Sequence, residues 1–191
     1  MPDKGTIRKE ILAGRRAMSA GECAAASEKI CATFIDSDDY ANASTILLYK
    51  AYNNEVDTDM IFDRARRDEK TVAYPVSAIV DGEPVMTFYE ITDMSQMREG
   101  YKGIQEPDPE SSALKFEGRA DICITPGVAF DGKCNRIGYG RAFYDRYLRL
   151  NCPKKVIGLA YDMQIVDDIE TDEGDRPVDA VITETRVITR E

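Results

Sequence analysis

The sequence predicts an α/β sandwich with a largely parallel sheet, on three observations. Short β-prone runs alternate with helical segments. The best of those runs, TILLYK and DICITP, are apolar on consecutive positions, as strands covered on both faces are. One tight-turn signal, Val80-Asp81-Gly82-Glu83, sits between two β-prone runs and makes the sheet mixed.

The elements follow in order. Lys4 to Met18 sets Ile7, Leu12 and Ala13 among charges, as a helix with a polar outer face does. Ser19-Ala-Gly-Glu22 is a capping box for a second helix running to about Phe34. TILLYK, Thr45 to Lys50, is a buried strand, and the loop NNEVDT leads to a helix from about Thr58 to Asp68 capped by Asp57. TVAYP, Thr71 to Pro75, is the next strand, and PVMTFYE returns after the hairpin. From Ile91 to Glu117 the pattern weakens, and YKGIQEPDPESS reads as a long loop of the kind that often carries function. DICITP, Asp121 to Pro126, is a strand feeding a glycine-rich loop and a helix from about Arg141 to Leu150. KVIGLAY and DAVITE, near 155–161 and 179–184, complete the strands. Ligands of such folds sit where loops leave the carboxyl ends of strands, here after Tyr49 and Thr125.

At 191 residues the chain fits one domain over 1–191. No apolar run approaches the roughly 20 residues that cross a bilayer, and MPDKGTIRKE lacks the apolar stretch of a secretory signal, so a cytoplasmic protein is expected. Five cysteines without CxxC spacing argue against a disulfide framework or zinc cage. The chain has no histidine, which excludes Ser-His-Asp and Cys-His catalysis and histidine metal sites. A net charge of −10 opposes nucleic-acid binding. Within that acidic chain, residues 1–16 and 131–149 each carry five basic residues against two acidic ones. Two such islands suit a small polyanion, or are two solvated helix faces.

The loop after DICITP reads PGVAFDGKCNRIGYGRAFYDRYL. Gly138 and Gly140 let backbone amides approach a ligand, and the following helix start can receive phosphate oxygens. Lys133, Arg136 and Arg141 supply charge, and Asp145, about one turn into the helix, offers a carboxylate of the kind that can hold magnesium. No Walker GxxxxGK[ST] motif occurs. Taken generically, such a loop equally well turns the chain while Tyr139, Phe143, Tyr144 and Tyr147 pack.

The same segment resembles the signature of the 5-formyltetrahydrofolate cyclo-ligases, PG-apolar-apolar-FD followed by NR-apolar-G-x-G-x-G-[FY]-YDR-[FY]-L. Lys4 and Arg8, NNEVDT, Tyr74-Pro75, Met86-Thr87-Phe88, GIQEP at Gly103 to Pro107 and PVDAVITE match the family elsewhere, so the resemblance covers essentially the whole chain. It implies a three-layer α/β/α sandwich and a monomer that binds ATP, magnesium and 5-formyltetrahydrofolate. The resemblance implies a reaction in which ATP phosphorylates the formyl oxygen, the folate nitrogen at position 10 closes the ring, and ADP, phosphate and 5,10-methenyltetrahydrofolate leave. It further implies that Lys4 and Arg8 meet the ATP phosphates. The run Arg136, Ile137, Gly138, Tyr139, Gly140, Arg141, Ala142, Phe143 and Tyr144 would wrap the nucleotide, with Lys4, Arg136 and Arg141 acting in phosphoryl transfer. Glu55 would hold the folate, with Tyr139 to Phe143 lining its site, and Asp145 and Asp179 would be magnesium ligands. The sequence departs from the pattern twice. Ala142 stands for the third glycine, which suits a residue already in helical geometry, and Gly174 stands where the family often has histidine. Two other classes remain open at this point: a binding protein that kept the site without turnover, and an isomerase or acyl-coenzyme A transferase on a similar sandwich.

Overall fold

The computed structural model describes residues 2–100, 103–111 and 113–190; Tyr101, Lys102 and Ser112, part of the expected long loop, lie outside the described residues. The first helix, α1 (Lys4–Ala17), starts on Asp3, whose carboxylate accepts the Gly5 and Thr6 N–H groups. The expected capping box opens α2 (Ala20–Ile35): Ser19 Oγ accepts the Glu22 N–H and Glu22 accepts the Ser19 N–H. A short helix absent from the sequence reading, α3 (Asp38–Asn42), turns the chain into β1 (Thr45–Leu47). α4 (Asp59–Arg67) begins near the expected place, but its cap position falls on Thr58, without a side-chain cap bond, and not on Asp57; Asp57 Oδ1 accepts the Asp59 N–H at 2.8 Å from one residue earlier. The hairpin of β2 (Thr71–Val80) and β3 (Glu83–Glu90) turns on Asp81 and Gly82, both at positive φ, the geometry that a two-residue turn needs to match strand twist.

The stretch from Ile91 to Glu117 is more regular than expected. It contains β4 (Met97–Glu99), β5 (Gln105–Pro107) and β6 (Leu114–Lys115), strands too short to leave a period in the sequence. β7 (Ile122–Thr125) is the buried strand foreseen in DICITP. The loop after it folds into a ribbon of β8 (Ala129–Asp131) and β9 (Arg136–Ile137) before α5 (Phe143–Asn151), which starts two residues later than the pattern suggested. β10 (Lys155–Leu159), β11 (Ile165–Val166), β12 (Ala180–Ile182) and β13 (Val187–Thr189) close the chain.

The main sheet has the order β13-β12-β10-β7-β1-β2-β3-β6. The five inner strands are parallel; β13, β3 and β6 are antiparallel additions, so the sheet is mainly parallel and mixed. Alternate residues sort the core into layers. Ile46, Val72, Ile122, Ile124 and Ile157 pack with Ile30 and Phe34 of α2 and Ile61 of α4. Leu47, Ala73, Cys123, Val156 and Val181 pack with Tyr147 and Leu148 of α5. Helices thus cover both faces, giving the three-layer sandwich. The N-terminal helix lies across the end of this sandwich, with Ile7 against Val128, Ala129 and Ile137.

Ala142 is not in helical geometry. As the residue capping α5 it adopts φ +53° and ψ +20°, the left-handed region. There a Cβ meets the following carbonyl, at a cost on the order of 1 kcal/mol relative to glycine. Ala142→Gly is therefore expected to stabilise the protein by about 0.5–1 kcal/mol after the added unfolded-state entropy is allowed for, read as a higher urea midpoint at unchanged slope.

Candidate active site

The parallel strands all present their carboxyl ends on one side, and the loops leaving them enclose a cavity of about 330 Å³. Tyr49, Lys50, Tyr52 and Glu55 enter from the segment after β1, and Pro126 and Gly127 from the end of β7. Residues 136–145 form one wall, with Lys4 and Arg8 of α1 beside them. Pro75, Ser77, Met86 and Ile104 supply the opposite, less charged wall. Lys4, Arg8, Glu55, Arg136, Ile137, Gly138, Tyr139, Gly140, Arg141, Ala142, Phe143, Tyr144 and Asp145 all line this one space, although the first and last are 141 positions apart.

Asp179 does not join them, which corrects the expectation that it is a metal ligand. It precedes β12 at the amino end of the parallel strands, and its Oδ2 accepts the Val156 N–H at 2.7 Å. The cavity lies at the opposite end of those strands. Besides Asp145, the aspartates that reach it are Asp172 and Asp175, from the segment before β12. Asp175 opens the same Asp-x-Pro-x-Asp segment, so the signal was present in the sequence and its other aspartate was chosen.

The basic end of the cavity is held by ion pairs. Lys4 Nζ donates to Asp172 Oδ2 at 2.5 Å and to Asp175 Oδ2 at 2.6 Å. Burial works to lower the lysine's pKa, but the two carboxylates outweigh it and raise it. For Asp175 burial works upward, and the hydrogen bond from Lys4 with the nearby Arg136 charge brings the carboxyl below its usual range. Arg136 is almost fully buried; its Nη2 donates to Asp145 Oδ1 at 2.9 Å, and its guanidinium lies 5.5 Å from the Tyr144 ring centroid. Asp145 Oδ1 also accepts the Arg176 N–H at 3.2 Å. Arg8 Nε donates to the Gly138 carbonyl at 2.7 Å, which fixes the glycine loop against α1. Gly140 has φ +87°, a backbone conformation that glycine adopts without strain; a Cβ there would make ordinary van der Waals contact with the Arg8 guanidinium 3.8 Å away. Arg141 is exposed at the rim.

The other end is built around Glu55. Asn53 and Asn54 both take positive φ, which asparagine tolerates best among residues with a Cβ. That turn brings the Glu55 carboxylate back to accept the Tyr52 N–H at 3.0 Å. Glu55 is buried, and burial pushes its carboxyl up to about 7; the Arg15 charge, the Tyr52 N–H and the Tyr139 hydroxyl pull the other way. Tyr52 and Tyr139 lie 6.4 Å apart between ring centroids with their planes 58° apart, a tilted aromatic pair at this end of the cavity. Arg15, which by sequence alone is one more charge on a helix, is fully buried behind this pair.

A cleft at the carboxyl ends of a mainly parallel sheet, with cations and carboxylates at one end and aromatic rings around a buried carboxyl at the other, defines an α/β enzyme that acts on small molecules. A protein-family model, the 5-formyltetrahydrofolate cyclo-ligase family, matches residues 1–184. The chain belongs to that family of ligases. It is 30% identical to the Escherichia coli (strain K12) 5-formyltetrahydrofolate cyclo-ligase over 147 residues, covering 76% of this chain and 80% of that one. With the Haemophilus influenzae enzyme of the same name, identity is 30% over 174 residues, covering 90% and 92%. The solved structure of Aquifex aeolicus 5,10-methenyltetrahydrofolate synthetase superimposes with a TM-score of 0.82 at 29% identity, covering 97% of this chain and 92% of that one. That of Mycoplasma pneumoniae 5,10-methenyltetrahydrofolate synthetase gives 0.75 at 26% identity, covering 96% and 99%. Among the described residues no helix is long and apolar enough to cross a membrane.

Proposed function

We propose that this protein uses ATP and magnesium to convert 5-formyltetrahydrofolate into 5,10-methenyltetrahydrofolate, releasing ADP and phosphate, as a cytoplasmic monomer without a nucleic-acid partner. The observation that carries the reading is the division of one cavity into a charged end and an aromatic end, on a chain whose relatives bear that enzyme's name.

A formamide oxygen leaves poorly, so ring closure requires its activation. Phosphoryl transfer asks for positioning and charge neutralisation more than for a protein nucleophile, which suits a chain with no histidine. Lys4, Arg8 and Arg136 face the phosphates from two sides, and Arg141 at the rim adds a fourth cation. Glu55 accepts hydrogen bonds from the N–H donors of the substrate's ring, with the Tyr52 and Tyr139 rings bordering the same end of the cavity. With the ring so held, the formyl oxygen points at the charged end. The formyl oxygen takes the terminal phosphoryl group of ATP, the nitrogen at position 10 attacks the activated carbon, and the C–O bond breaks with departure of phosphate.

Magnesium fits the residues present. The ion prefers one or two carboxylates together with substrate phosphates and water, and Asp145 and Asp175 are two carboxylates set around the same Arg136. When bound it neutralises phosphate charge there. Lys4 would then exchange its carboxylate partners for phosphate oxygens.

The test is the rise of methenyltetrahydrofolate absorbance on mixing the protein with 5-formyltetrahydrofolate, magnesium and ATP. The expected result is an ATP-dependent rise that Lys4→Ala reduces at least tenfold, the size of one lost charge-assisted contact. Tight folate binding without any rise would instead favour the binding-protein reading.

A further inference from the structure

Arg15 is the largest fully buried side chain among the described residues, and among them its hydrogen bonds run to no carboxylate. Its Nε donates to the Asn53 carbonyl at 2.8 Å, its Nη1 to the Gly127 carbonyl at 3.3 Å, and its Nη2 to the Tyr139 hydroxyl. The guanidinium also lies 5.7 Å from the Tyr139 ring centroid. One cation from α1 therefore ties together the turn that carries Glu55, the exit of β7 and the glycine loop. The Tyr139 hydroxyl and the Glu55 carboxyl line the same end of the cavity and act on each other's ionisation. Burying a charge this completely is costly, and three carbonyl or hydroxyl partners offset only part of that cost. Fold stability alone would be served as well by an apolar side chain of similar volume.

We propose that Arg15 is a positioning residue for substrate recognition: through the Tyr139 hydroxyl it fixes the Glu55 carboxylate to accept the hydrogen bonds of the substrate's ring. The assignment rests on the cyclo-ligase reading for the identity of that substrate. Only ionised Glu55 can accept from two ring donors, and its burial opposes ionisation. The groups facing Glu55 are Tyr49 from the end of β1, Tyr139 from the glycine loop, Tyr144 from α5, and Tyr161 after β10, whose hydroxyl donates to the Glu55 carbonyl. All four are neutral near pH 7, and Arg15 is the cation among them that favours the charged carboxyl.

Removing the guanidinium should raise the carboxyl's pKa by about one unit. The experiment measures the Kd of 5-formyltetrahydrofolate by calorimetry without ATP, from pH 6 to 9, for the parent, Arg15→Met, Tyr139→Phe and Glu55→Gln. The parent is expected to bind more tightly as pH rises through 7, and Glu55→Gln to show no such rise. Arg15→Met should bind about fivefold more weakly at pH 7, with the gap closing to within about twofold at pH 9. A deficit of equal size at every pH would make Arg15 a purely structural residue and overturn the proposal, as would a parent profile without the rise. Should Arg15→Met fail to fold, Tyr139→Phe decides: its rise moves upward in pH if the relay operates, and stays in place if it does not. A parent that binds with this profile but forms no methenyl product would sink the ligase reading while leaving the role of Arg15 intact.

Discussion

Asp145→Ala is expected to cost the protein about 3–5 kcal/mol of stability as well as its activity, because it strips the carboxylate from a buried guanidinium. The Arg136 side chain is only 3% exposed and Asp145 19%, so the guanidinium is shielded from bulk water and the carboxylate is reached by it only in part. Arg136 Nε already lacks a hydrogen-bond partner among the described residues, which leaves Nη2 to Asp145 as its principal anchor. Nearby Asp175 supplies some compensating charge and places the expected loss at the lower end of the range. Asp145→Asn retains an oxygen acceptor for Arg136 and should cost less than half as much, while still removing the charge proposed to help hold magnesium. Urea unfolding of the two variants beside their turnover separates structure from chemistry. An alanine variant within about 1 kcal/mol of the parent would show that the ion pair is not needed to keep Arg136 buried.

Glu55→Gln is expected to make the protein more stable at pH 8 while it loses affinity for folate. The carboxyl's pKa in the folded protein, about 7, lies above its ordinary value of 4.5. Between those values the folded state holds a proton that the unfolded state has released, so stability falls as pH rises through that window. The full span corresponds to at most roughly 3 kcal/mol, all of it lost above pH 7. The neutral glutamine carries no such dependence. Urea midpoints at pH 5 and pH 8 should therefore converge at the acid end and separate, in favour of the variant, at the basic end. Equal midpoints at both would mean that Glu55 ionises without cost in the folded state.

The sandwich was legible because its inner strands are covered on both faces: runs such as DICITP have no polar partner face, and the chain between them is helical in period. The Asp81-Gly82 turn announced the mixed sheet through its own residues. Strands of two or three residues, such as β6, β9 and β11, left no pattern because an alternation that short cannot be distinguished from a loop. In the site, the glycine loop with Arg136 and Asp145 was readable as one contiguous string. Lys4 and Glu55 were readable only through the family resemblance, since a lysine on a helix and a glutamate on an Asn-Asn turn are ordinary surface residues by themselves. Asp179 was misplaced because Asp-x-Pro-x-Asp offers two candidates, and which one faces the cavity depends on where the chain stands when it enters β12. Arg15 was invisible for the opposite reason. Nothing local distinguishes it from Arg16, and its burial arises only when three distant loops close over it.

The pairing of Lys4 with Asp172 and Asp175 spans 168 and 171 positions of sequence. On a ribosome the first of these residues emerges long before the last. At ordinary rates of synthesis, on the order of ten to thirty seconds separate them. During that interval α1 has its caps, but Lys4 lacks the two carboxylates that hold it in the folded protein. The charged end of the cavity therefore closes only once the segment carrying Asp172 and Asp175 has been made, long after the helix that it receives.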